Sequence, residues 1–154
     1  MLDKSLFRHV TSARVRNYEI DWQGIVHNAV YLLYFEMARV EYLQMLGVRV
    51  NREAIVRESR IVVARNEIDY LAPAHFGDDL VTSTRISFVR TSSFAFEGIL
   101  ENKKSGVRIA ENVSIHVWLD RITGGPVPVA DWLRKAVRDF EGENAIITWP
   151  EYLT

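Results

Sequence analysis

The sequence contains no cysteine, which excludes a disulfide framework, a Cys-ligated zinc or iron–sulfur site and a cysteine nucleophile. Any chemistry must come from carboxylates, histidines, hydroxyls or the backbone. An excess of charge is also missing. Nineteen Lys and Arg face 20 Asp and Glu, for a formal net charge of −1, so the electrostatic footprint of a dedicated nucleic-acid binder is absent. Long hydrophobic runs are missing too. The longest covers residues 29–35, far short of the ~20 residues that a membrane-spanning helix needs. The first residues, MLDKSLF, form no apolar leader, which predicts a soluble, cytoplasmic protein without a secretory signal. Four prolines and eight glycines form no linker, repeat or low-complexity tract. With 154 residues, one compact domain is predicted.

The chain itself is rich in periodic signals. Val15, Tyr18 and Ile20, mixed with Arg14 and Arg16, predict a first strand over 12–20. Asp21-Trp22-Gln23-Gly24 reads as a turn. Residues 28–46 carry Ala, Leu, Met and Glu with no Pro or Gly, which predicts a long helix with Asn28 as N-cap and Gly47 just past its end. Its apolar side chains occupy nearly every face, which predicts a helix buried all round. A short polar helix is predicted over 51–58. Strands follow over 61–71, 80–90, 93–101 and 107–119, closed by hairpin-length turns. The last alternates most clearly, with Ile109, Val113, Ile115 and Val117 on one face and Asn112, Ser114, His116 and Trp118 on the other. A final helix over 130–140 places Trp132, Leu133, Ala136, Val137 and Phe140 at helical spacing. An antiparallel sheet around one apolar helix satisfies both patterns, and its open edges are suited to pairing across a dimer.

Several familiar sites are absent: the sequence has no GxSxG elbow, no Gly-rich phosphate loop and no HExxH. His9, His27, His75 and His116 are too scattered in sequence to suggest a metal cluster. The stretch 18–28 is the richest in chemistry, because it joins the first strand to the N-terminus of the long helix. A carboxylate there, Asp21, faces the positive end of the helix dipole and amides that could receive a developing oxyanion. From local sequence alone, Asp21 can equally be a turn former and His27 a capping residue. Lys103 and Lys104 read as a solvated hairpin tip.

Asp21-x-x-Gly24-Ile25-Val26, followed by Asn28-x-x-Tyr31 and Glu36-x-x-Arg39, resembles the signature of hotdog-fold acyl-CoA thioesterases of the 4-hydroxybenzoyl-CoA thioesterase type. The similarity continues through Ile68-Asp69-Tyr70-Leu71-x-Pro73-Ala74, Phe76-Gly77-Asp78 and Arg90-Thr91-Ser92-Ser93-Phe94. It ends at Thr123-Gly124-x-Pro126-Val127-Pro128. The resemblance implies an α+β hotdog fold, with an antiparallel sheet of about five strands wrapped around one long central helix, plus a C-terminal helix. The domain would cover 1–140, with 141–154 an unplaced tail.

Carried over residue by residue, the resemblance makes Asp21 the catalytic carboxylate, as nucleophile or as base for a water. It makes the Asn28 backbone N–H the oxyanion donor. Many members carry a histidine where this chain has Asn28, so a role for His27 is less firmly implied. Gly24, Ile25, Val26, Tyr31 and Phe35, with Tyr34 nearby, would line the acyl site. Arg90, Ser92 and Ser93 would meet the coenzyme, through an arginine fork and hydroxyl donors. The implied substrate is an acyl-CoA or acyl-carrier-protein thioester. No metal is implied, no cofactor beyond the CoA of the substrate, and the assembly would be a homodimer or homotetramer. A thiol leaves readily, so no strong general acid is needed. Two alternatives remain: a hotdog enoyl-CoA hydratase or dehydratase using His27 and Asn28, and a non-catalytic acyl-CoA-binding module.

Overall fold

β-branched and aromatic residues alternating with polar ones build a sheet, and the Ala-, Leu- and Met-rich stretch 28–45 crosses it as a helix. The computed structural model describes residues 1–51, 53 and 60–149. Its main elements are β1 (His9–Arg14), α1 (Asn28–Met45), β2 (Arg60–Tyr70), β3 (Asp79–Val89), β4 (Ser93–Asn102), β5 (Arg108–Leu119), α2 (Asp131–Glu141) and β6 (Ile146–Ile147). The strand order is β1-β3-β4-β5-β2, with every neighbouring pair antiparallel. β6 runs parallel to β3 at Phe88 and Val89. Because β2 ends the order, one of its hydrogen-bonding edges has no partner strand among the described residues.

α1 lies on one face of this sheet. Phe35 sits directly over Gly98, where an added Cβ would stand 2.6 Å from its ring. Tyr31 meets Tyr70 edge to face at 5.4 Å, and Tyr42 meets Phe96 at 5.6 Å. α2 closes the Tyr42 end, packing Leu133 and Val137 against Ile86, Val89 and Trp118. No helix among the described residues is long and apolar enough to cross a membrane.

The predicted boundaries of α1, α2 and β2 to β5 fall within one residue of those found. Other expectations need correction. The N-cap of α1 is His27, not Asn28: its backbone is still extended, and its Nδ1 accepts the Ala29 N–H at 3.1 Å. α1 is not buried all round, because Leu33 is 60% and Met37 37% exposed. With Ala29 they form an i, i+4, i+8 stripe that no described residue covers. The first strand begins at His9 rather than Ser12 and stops at Arg14 rather than Ile20. The Glu19 carboxylate accepts the Arg16 N–H at 2.7 Å and winds residues 17–19 into a single 3₁₀ turn.

On β5 the more deeply buried face is the polar one. Asn112, Ser114, His116 and Trp118 are buried, whereas Val113, Ile115, Val117 and Leu119 are only partly covered. The tail is partly placed, since 146–147 extends the sheet as β6. The polar helix predicted over 51–58 falls almost wholly outside the described residues, as do tail residues 150–154.

Candidate active site

The loop before α1 is a small closed hairpin. Ile20 and Val26 form an antiparallel bridge. Inside it, the Asp21 N–H donates to the Ile25 carbonyl at 2.9 Å and the Gly24 N–H to the Asp21 carbonyl at 3.0 Å. Gly24 adopts φ +79, a left-handed conformation that costs a side-chain-bearing residue free energy. The hairpin is anchored by two further bonds of 2.9 Å, from Val26 N–H to the Ala74 carbonyl and from His27 N–H to the Glu19 carbonyl. Asp21 shapes the turn, because its Oδ1 accepts the Gln23 N–H at 2.7 Å. Its second oxygen has no hydrogen-bond partner among the described residues.

The first turn of α1 supplies the donor side. Ala29 N–H goes to His27 Nδ1 and Val30 N–H to the His27 carbonyl. The Asn28 N–H has no partner among the described residues, one of the donors that every helix start leaves over. The Tyr70 hydroxyl donates to the Asn28 carbonyl at 3.0 Å, and the Tyr31 hydroxyl accepts the Ala74 N–H at 3.2 Å. These bonds tie the helix start to the end of β2 and the segment after it. Burial holds the Tyr31 hydroxyl above its ordinary pKa, with the Asp21 charge contributing, so the carboxylate lies within electrostatic reach of the helix start. Tyr34 donates to Glu19 Oε2 at 2.7 Å; burial and that carboxylate raise its pKa. Among the predicted lining residues, Val26, Tyr31 and Phe35 are buried, with Phe35 committed to Gly98. Gly24 is exposed and Ile25 partly covered.

Arg90, Ser92 and Ser93 lie at the other end of the sheet. The Arg90 guanidinium stacks over Phe88 at 4.8 Å, the Arg90 backbone N–H donates to the Ser93 carbonyl at 2.7 Å, and the Ser92 carbonyl accepts the Trp118 backbone N–H at 2.8 Å. Ser93 pairs with Val117 in β5, whose far end Ala110 pairs with Tyr70 beside the helix start. The 11 residues of β2 span the sheet between these ends, a separation of roughly 30 Å. One chain therefore does not bring Asp21 and Arg90 together.

Sequence reasoning passed over a second concentration of polar groups, under the later turns of α1. Arg39 is only 7% exposed, and its Nη1 donates to Asn112 Oδ1 at 3.3 Å. Ser114 Oγ lies 3.0 Å from His116 Nε2. The signal was present: Arg39 follows Phe35 by four residues and precedes Tyr42 by three, on the buried stripe of the helix. Among the described residues, no three His, Asp or Glu side chains form a group that could hold a metal.

Comparisons with known proteins fit this architecture. A thioesterase from Thermus thermophilus, solved with coenzyme A and zinc, superposes with a TM-score of 0.77 at 32% identity, covering 88% of this chain and 96% of that one. A 1,4-dihydroxy-2-naphthoyl-CoA thioesterase from Synechocystis, at 20% identity and a TM-score of 0.79, shares the fold over 86% of this chain and 97% of that one. An acyl-acyl carrier protein thioesterase of Arabidopsis thaliana is 31% identical over 112 residues, 73% of this chain. The chain spans only 58% of that relative's length. The acyl-CoA thioester hydrolase YbgC of Escherichia coli is 30% identical over 105 residues, 68% of this chain and 75% of the relative. Residues 15–137 match the thioesterase-like superfamily, and with most of the chain so matched, the protein belongs to that superfamily.

Proposed function

We propose that the protein hydrolyses acyl-CoA thioesters at a site completed by a second copy of the chain. The observation that carries this reading is the Asn28 N–H, free at the start of α1 beside a hairpin that presents Asp21. A thioester carbonyl directed at the helix start would gain its strongest hydrogen bond as negative charge develops on oxygen. Asp21 takes a proton from a water as the water oxygen bonds to the carbonyl carbon. The C–S bond then breaks and CoA leaves as thiol, taking up that proton. If Asp21 attacks directly, CoA thiolate leaves as a mixed anhydride forms and water cleaves it; where water attacks the Asp21 carbonyl, oxygen-18 from solvent appears in that carboxylate after one turnover. The His27 Nδ1 that accepts the Ala29 N–H leaves the ring proton on Nε2, which makes that nitrogen a donor rather than the base a hydratase needs.

Two observations support the second copy. β2 has an open edge, and the Ala29, Leu33, Met37 stripe of α1 is exposed. Antiparallel pairing of β2 with β2 of another copy buries unpaired backbone groups and extends the sheet. It also brings the Asp21 end of one chain beside the Arg90 end of the other, which one chain cannot do. The CoA-bound Thermus thermophilus neighbour favours CoA as the carrier. Thiol release from acyl-CoA and acyl-carrier-protein thioesters of matched chain length tests the reading. Release from acyl-CoA is expected; hydration of crotonyl-CoA without thiol release would overturn it.

A further inference from the structure

Between α1 and the β2–β5 ladder lies a cavity of about 400 Å³, walled by Val40, Leu43, Val62, Val63, Trp118 and Trp132. Its size is that of a small-ligand pocket, about 300–1,000 Å³. Among the described residues its charged lining is Arg39, Arg49 and Arg60 with one carboxylate, Glu36. Arg39 is the buried member, and no carboxylate lies within ion-pair distance of it among the described residues. A guanidinium carries five N–H donors, and Asn112 takes one of them. Burial works against its charge, which the Glu36 carboxylate supports only from beyond ion-pair distance, and so poorly compensated a buried cation is costly.

His116 completes the floor. It is only 5% exposed, stacked on Phe94 and edge-on to Phe96. Burial, then the Arg39 charge, pulls its pKa down to about 4, so the ring is neutral near pH 7. When the Ser114 hydroxyl donates to Nε2, the proton sits on Nδ1, which has no partner among the described residues and is a donor available to the cavity.

We propose that this cavity holds the acyl group and that Arg39, with His116 beside it, receives a carboxylate at that group's far end. The assignment rests on the thioester-hydrolase reading and deepens it, since antiparallel pairing of β2 sets the cavity of one copy near Asp21 of the other. The substrate class is then an acyl-CoA derived from a dicarboxylic acid. The apolar walls take the methylene chain, and the arginine fork neutralises a carboxylate that an apolar pocket would reject.

The test compares adipoyl-CoA with hexanoyl-CoA, which have equal chain lengths and differ in the terminal group. The wild-type protein is expected to favour adipoyl-CoA in kcat/KM by at least about tenfold. That ratio should fall towards one in Arg39→Met and in His116→Phe. A ratio of one or less in the wild type, or a ratio unchanged in both variants, overturns the proposal. A second measurement does not depend on hydrolysis: quenching of Trp118 and Trp132 fluorescence by hexanoate against hexan-1-ol. Tighter binding of hexanoate, lost in Arg39→Met, supports the carboxylate site; equal binding refutes it. If no thioester is hydrolysed, the catalytic reading fails while the fluorescence result still decides the pocket. Arg39→Lys, which keeps the charge and loses the fork, carries the comparison if Arg39→Met does not fold.

Discussion

Replacing His116 with Gln tests whether burial keeps the imidazole beneath α1 neutral. Gln can accept the Ser114 hydroxyl through its amide oxygen and does not titrate. In the folded protein, burial and then the Arg39 charge lower the His116 pKa from 6.5 to about 4. A group depressed on folding contributes stability that is fully present above its unfolded pKa and is lost as pH falls through the folded one. The window therefore runs from about 6.5 down to about 4. Each unit corresponds to about 1.4 kcal/mol, so the wild type should lose about 2 kcal/mol relative to the variant between pH 7 and pH 5. That is a substantial part of a typical stability of about 5–15 kcal/mol. Urea unfolding at both pH values measures it. Glu141, whose pKa is raised by burial, pulls stability in the opposite direction, but it is common to both proteins and cancels in the difference. A wild-type-minus-variant difference that stays constant across this window would refute the reasoning. So would an imidazole resonance titrating near 6.5.

Two other substitutions probe the frame around the site. Gly98→Ala forces a Cβ to within 2.6 Å of the buried Phe35 ring and is expected to cost about 1–3 kcal/mol, or some 3–10 °C in Tm. Adding Phe35→Leu should recover part of the loss in a thermal melt, and an unchanged melting temperature in Gly98→Ala would contradict the packing. Leu33→Glu places a charge on the exposed stripe of α1, where a lone chain would tolerate it within about 0.5 kcal/mol. If that stripe meets a second copy, light scattering should give the mass of one chain for the variant and a multiple for the wild type. An unchanged assembly would exclude the stripe from the interface.

Much of the architecture was legible because it rests on local signals. Gly47 and Pro73 stop their elements, and the alternation in β3 to β5 sets the strands. The cap was misjudged because His27 and Asn28 are both polar neighbours, and only the direction of the His27 ring decides which one accepts from the helix. The predicted β1 runs too far toward α1 because Val15, Tyr18 and Ile20 share strand propensity, while the bond from the Arg16 N–H to the Glu19 carboxylate that turns the chain leaves little trace in composition. The Asp21 hairpin was legible as a motif. The Arg39–Asn112 and Ser114–His116 pairs were not, because each joins residues whose faces are known only once the helix is laid on the sheet. The exposed stripe of α1 has the same origin. Hydrophobicity places apolar residues on nearly every face of the helix, but does not show which of them the described residues leave exposed.

The central claim is that Asp21 and the start of α1 carry out thioester hydrolysis, and Asp21→Asn tests it most directly. The amide preserves an oxygen for the Gln23 N–H that Asp21 Oδ1 accepts, so the turn should persist, with an unchanged far-UV spectrum. Thiol release from the best acyl-CoA should fall by at least about 100-fold. A folded Asp21→Asn protein that releases thiol at close to the wild-type rate would contradict the account.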